Sequence, residues 1–91
     1  MNYIYIDFEW DEAKSAECFR LRGFDFEFAS RAFRDPNCHI RRDQRRDYGE
    51  NRLQLLGRIE KRVFAVAYTL RGNGIRIIYS AQSKLSGGEV V

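Results

Sequence analysis

Ninety-one residues leave room for one core and no second module; 44% hydrophobic residues, with seven Phe, five Tyr and one Trp, make that core feasible but thin. No apolar run approaches the roughly 20 residues that span a bilayer, and Asp7 and Glu9 interrupt the apolar start of a signal peptide, so no membrane partner and a cytoplasmic location are expected. The net charge is +3, and thirteen of the sixteen basic residues are Arg, whose planar fork suits phosphate; ordinary ion pairing with thirteen acidic residues is the competing explanation.

In chain order, Asn2 to Asp7 alternates as a short strand covered on both faces. Asp11 and Glu12 favour a helix start and Gly23 a helix end, which predicts a helix over 11–22. Its apolar residues do not form one stripe: Trp10, Ala13 and Leu21 lie near one face and Phe19 opposite. Asp25 can cap a second helix, in which Phe26, Ala29 and Phe33 align, and Asp35-Pro36 ends it. HIRRDQRRDYGENR then reads as a short edge strand followed by a loop.

Extended structure follows over 51–57, 62–70 and 74–80. VFAVAYTL, apolar on both faces, is expected to be the central strand, and RGNG at 71–74 a tight hairpin turn. Residues 82–91 have no pattern and are expected to fray. Helices first and strands later predict an α+β domain occupying 1–91: a short N-terminal strand, two helices, then an antiparallel sheet of about four strands.

The chain contains no Gly-rich phosphate loop, no G-x-S-x-G and no H-E-x-x-H. One His cannot build a His-based metal site, and Cys18 and Cys38 are read as buried free thiols, so neither metal nor cofactor is expected. RNA cleavage by internal transesterification needs only a base for the 2′-hydroxyl, cationic stabilisation of the pentacoordinate phosphate and an acid for the leaving oxygen. Strand alternation puts Arg52 and Gln54 opposite Leu53 and Leu55. On the last strand it puts Arg76, Ile78 and Ser80 opposite Ile75, Ile77 and Tyr79.

Arg52 and Arg76 are thus candidates for the phosphate, with solvent-facing strand positions as the bland alternative. Glu50, Tyr48 and His39 are candidates for proton transfer. Arg41 and Arg42 open a basic cluster that could track a phosphate backbone, although Asp43 and Asp47 interleave it.

The chain resembles the BrnT family of bacterial type II toxins from about Phe8 to Ala81. The resemblance is carried by FEWDEAK at 8–14, G-x-D-F-E-x-A at 23–29, F-x-D-P at 33–36, YGENR at 48–52, Gly57-Arg58, Tyr68-Thr69 and IRII at 75–78. It implies a RelE-like fold and a ribonuclease that arrests translation. It also implies neutralisation by a ribbon-helix-helix antitoxin and a hetero-oligomeric complex that reaches promoter DNA through the antitoxin. With Arg41 and Arg42, the residues Lys14, Arg58 and Ser80 complete the expected RNA contacts. Phe24 and Phe28, read as exposed aromatics, are the candidate antitoxin surface, with a thicker core as the other explanation for Phe28.

The chain departs from the family at two places. The usual Lys-His pair before the second helix is missing, and a basic C-terminal helix after IRII is absent. Tyr79 stands where the family runs directly into Ser-Ala, as a one-residue insertion that would turn the following side chains to the opposite face. Two functions therefore stand side by side: a metal-independent endoribonuclease, or a weakened or inactive homologue kept as the antitoxin-binding subunit of a repressor.

Overall fold

The computed structural model of the chain describes residues 7–42 and 51–86. Strand β1 (Asp7–Glu9) leads into helix α1 (Glu12–Arg22), a short helix α2 (Phe26–Ala29) and a 3-10 turn (Ser30–Arg34). Four strands follow: β2 (His39–Arg42), β3 (Arg52–Ile59), β4 (Arg62–Arg71) and β5 (Gly74–Ser86). They form one five-stranded sheet in the order β1-β5-β4-β3-β2, antiparallel throughout except that β1 runs parallel to β5. The α+β expectation holds, with β1 joined to the same sheet as the later strands. The strand expected over 2–7 lies mostly outside the described residues. No described helix is long and apolar enough to cross a membrane.

Local chemistry sets the helical segment. The Asp11 carboxylate accepts from the backbone N–H of Ala13 at 2.8 Å and of Lys14 at 3.3 Å, satisfying donors that the first turn of α1 leaves open. Gly23 closes α1 in the left-handed region at φ 85°, its N–H bonded to Phe19 O. Asp25 caps α2 through Phe28 N at 2.9 Å, and Ser15 Oγ accepts from Phe26 N at 3.0 Å, which fastens the two helices together. The second helix is one turn of α-helix tightened into 3-10 geometry, and it stops at Asp35, before Pro36.

The core lies between this helical layer and one face of the sheet. Phe26, Ala29 and Ala32 pack with Leu55, Phe64, Val66, Tyr68, Ile75 and Ile77. Each large side chain contributes about 1.5–3 kcal/mol on burial. Edge-on ring contacts join Phe33 to Tyr68 and Phe24 to Phe64, both at 5.0 Å. Gly57 is where β3 passes closest to the 3-10 turn, since a Cβ there would sit 2.3 Å from the Ala32 carbonyl oxygen.

Helix α1 buries only Ser15 and Cys18, while Phe19 and Leu21 are exposed. It therefore docks through small side chains; of the apolar residues anticipated from the sequence, Trp10 just before the helix packs against the core, while Leu21 and Phe19 do not form the contact face. β1 pairs only with Gly74 to Arg76 of β5. Beyond that point α1 lies against β5, where Cys18 Sγ donates to the Ser80 carbonyl at 3.8 Å. Burial pushes the Cys18 thiol up against the opposing pull of Arg22, with Asp25 adding to the rise, which keeps the sulfur protonated as a donor.

β4 is the central strand, as its apolar composition predicts, and the turn after it closes at Arg71 and Gly74 with Gly72 at φ 55°. β5 departs from expectation twice. It continues to Ser86 and pairs Gln82 with Phe64 and Ser86 with Arg62, so residues 82–86 are strand where a frayed tail was expected. It also carries a bulge: Tyr68 faces Ile77 while Ala67 faces Tyr79, which leaves Ile78 as the extra residue.

Candidate active site

Residues paired across neighbouring strands share a face, so the register defines what stands together opposite the core. Arg52 pairs with Thr69, Thr69 with Arg76, and Arg76 with Glu9, which makes one row across four strands. The next row runs Tyr79, Ala67, Gln54, Arg41. The structure thus brings Arg52 and Arg76 onto one face, flanking Thr69. The Thr69 hydroxyl is buried and donates to Asn51 O at 2.8 Å, so it braces the start of β3 and has no proton to offer a substrate.

An open groove of about 920 Å³ runs between α1 and this part of the sheet. Lys14, Glu17 and Leu21 form its helical wall, and Arg52, Ala67 and Tyr79 lie across from them. Lys14 therefore shares a groove with Arg52 although 38 positions separate them in the chain. Arg76 lies on the same face and forms an ion pair with Glu9 at 3.5 Å, both side chains substantially exposed. Such a pair is worth about 0–1 kcal/mol, less than a charge-assisted bond to phosphate can offer.

The remaining expected site residues scatter. Arg41 is on the Arg52 face, where its Nε donates to Gln54 Oε1 at 2.9 Å. Arg42, paired with Leu53, is on the opposite face, as strand alternation requires of neighbours. His39 pairs with Leu56, on the Arg52 face but four residues along β3 from Arg52, on the order of 13 Å away. Arg58 lies at the far end of that face, its backbone N–H bound to Asp35 Oδ2 at 2.8 Å. Tyr48 and Glu50 lie outside the described residues.

Two expectations about facing are corrected. Ser80 does not stand beside Arg76. The bulge at Ile78 moves Ser80 to the core face opposite Val66, where it is 1% exposed and its hydroxyl donates to Ala65 O at 2.9 Å. The same bulge brings Tyr79 to the Arg52 face, 46% exposed, with Arg22 Nη2 donating to its phenol oxygen at 2.9 Å. Phe24 and Phe28 are not exposed aromatics either. Phe24 is buried, and Phe28 is half-buried with its ring edge-on to Phe64 at 5.6 Å.

Tyr79 and Glu9 are the site neighbours that residue-by-residue reading missed. The signal for Tyr79 was the one-residue insertion against the family pattern, which the structure realises as the bulge at Ile78. Glu9 carried none, because its partner strand is 67 residues away in the chain.

The sequence matches, over residues 10–83, a family model described as the ribonuclease toxin, BrnT, of type II toxin-antitoxin systems. The chain belongs to the BrnT family. A search of curated proteins returned no match. Membership makes this BrnT protein the toxin partner of a type II toxin-antitoxin pair, from a family of ribonucleases whose target is RNA. The matched span contains the groove with Arg52 in its wall, and Arg76 on the same sheet face.

Proposed function

We propose that this BrnT protein cleaves RNA by metal-independent internal transesterification, with Arg52 and Arg76 on the scissile phosphate. The observation that carries this reading is their common row across the sheet, one on each side of Thr69. A base removes the 2′-hydroxyl proton, and the 2′-oxygen attacks phosphorus. The bond from phosphorus to the 5′-oxygen breaks, and an acid protonates that leaving oxygen, giving a 2′,3′-cyclic phosphate and a 5′-hydroxyl. The two guanidinium groups stabilise the charge that builds on the non-bridging oxygens.

Glu50 and Tyr48 are the proposed proton-transfer groups, since Glu50 lies only two positions before Arg52 in the chain. His39 is the more distant candidate. Lys14 and Arg41 extend the positive surface along the RNA backbone. Tyr68 is not a candidate, because it lies in the core and burial pushes its phenol up, with Cys38 adding to the rise.

In the cytoplasm such cleavage would arrest translation. Neutralisation is assigned to a ribbon-helix-helix antitoxin, which would carry the complex to its own promoter DNA. A second reading, a non-catalytic antitoxin-binding subunit, draws support from the ion pair of Glu9 with Arg76 and from the burial of Ser80. Cleavage of RNA in EDTA by the wild type and by Arg76→Ala separates the two. EDTA-resistant cleavage that the substitution removes supports the enzyme, and no cleavage by either protein supports the subunit.

A further inference from the structure

Tyr79 is a large aromatic side chain in the groove to which the cleavage chemistry assigns no task. Without the bulge at Ile78 it would fall on the face of Ile75 and Ile77; with the bulge it stands on the face of Arg52 and Arg76. It remains 46% exposed there, whereas Phe26, Phe64 and Tyr68 are buried in the core.

Its position is held from α1. The Arg22 guanidinium carbon is 5.2 Å from the ring centroid, and Nη2 donates to the phenol oxygen at 2.9 Å. The cation thus lies over one face of the ring and is bonded to its hydroxyl, while the side chain as a whole stays 46% exposed. A ring already fixed in place loses little further freedom when something stacks on it. The row containing Tyr79 is two residues along β4 from the row containing Arg52 and Arg76, roughly 7 Å away. That distance is comparable to one nucleotide step of an extended strand.

We propose that Tyr79, fixed by Arg22, is a stacking platform for one nucleobase of single-stranded RNA lying in the groove. This deepens the RNA-cleavage reading and rests on it for the identity of the ligand. Stacking on an aromatic face tolerates any base, so the platform places the strand and leaves sequence choice to other contacts. Arg22 adds a cation beside the stacked base.

The test uses the full chain and short single-stranded RNAs whose 2′-positions are methylated, so that binding is read without cleavage. Tyr79→Ala should weaken binding on the order of tenfold, and Tyr79→Phe should stay within about threefold of wild type. Tyr79→Leu keeps apolar bulk without a π face and should behave like Tyr79→Ala, which guards against a folding defect in the smaller variant. An abasic site scanned along the RNA should weaken wild-type binding at one position and cost Tyr79→Ala nothing further there.

Unchanged affinity in Tyr79→Ala and Tyr79→Leu would overturn the platform, as would a loss confined to antitoxin binding. A platform that passes while the chain cuts no RNA would stand as a binding site and sink the catalytic reading alone. RNA cleavage that depends on Arg52 but is indifferent to Tyr79, with affinity also unchanged, would sink the platform alone.

Discussion

Arg52 and Arg76 come from strands that are not neighbours in the sheet, yet each pairs with Thr69 of the strand between them, so their side chains leave the same face. Their backbones are about two strand spacings apart, roughly 10 Å. Two long guanidinium side chains from such positions can close on one phosphate. The hairpin from β4 to β5 and the antiparallel pairing of β3 with β4 fix this arrangement, so it does not depend on any loop.

The ion pair with Glu9 sets how available Arg76 is. Being exposed, it stabilises the fold by no more than about 1 kcal/mol, so Glu9→Gln should leave thermal unfolding nearly unchanged. RNA affinity at low salt should rise by a few-fold, with the gain fading at high salt. A lower affinity in Glu9→Gln would mean that Glu9 orients Arg76 productively.

Ser80 should behave as a core residue. Ser80→Ala removes the hydrogen bond to Ala65 O and should cost about 1 kcal/mol in urea unfolding. Rates of RNA cleavage measured well below the unfolding midpoint should match wild type. A folded Ser80→Ala protein with a large loss of cleavage would restore Ser80 as an RNA contact.

Phe28 separates a packing role from a role in antitoxin binding. Its ring lies 5.6 Å from that of Phe64 and 5.1 Å beneath the Arg31 guanidinium. Phe28→Asp should therefore destabilise the toxin by about 2 kcal/mol or more, seen as a lower unfolding midpoint of the isolated chain. A fully stable Phe28→Asp protein that fails to bind antitoxin would contradict the packing role.

Much of this was legible in residues close together in the chain. Asp11, Gly23, Asp25 and the RGNG turn act on their own neighbours, so composition and spacing revealed them. The turn between β3 and β4 carried no such signal, because Glu60 occupies the left-handed region at φ 58° where Gly or Asn is usual. The facing of Arg52 and Arg76 was legible from alternation. Strict alternation misplaces Tyr79 and Ser80, because a bulge adds one residue to the count; the signal for Ser80 was the one-residue insertion against the family pattern, which turns the following side chains over. The row from Glu9 to Arg52 depends on register between distant strands, and α1 binds through Ser15 and Cys18, which form no apolar stripe.

Acid should loosen the turn that joins the 3-10 segment to β2. The Asp35 carboxylate lies below the usual carboxylate range because it accepts backbone N–H bonds from Asn37 and then from Arg58, with the Arg58 and His39 charges adding. Its folded value is below its unfolded one, so its contribution is complete above the ordinary Asp range near 3.9 and is lost as pH falls through the folded value. In unfolding titrations Asp35→Asn should show a shallower loss of stability below about pH 4 than wild type. Identical acid limbs would show that Asp35 does not contribute to the loss of stability in acid.

Whether Arg52 and Arg76 act on a scissile phosphate without a metal is read from RNA cleavage by the purified toxin in EDTA, wild type beside Arg52→Ala, with fold checked by circular dichroism. Cleavage should survive EDTA, leave 2′,3′-cyclic phosphate ends, and fall on the order of 10²-fold or more in Arg52→Ala. Cleavage abolished by EDTA, or equal rates in the two folded proteins, would contradict that metal-free role.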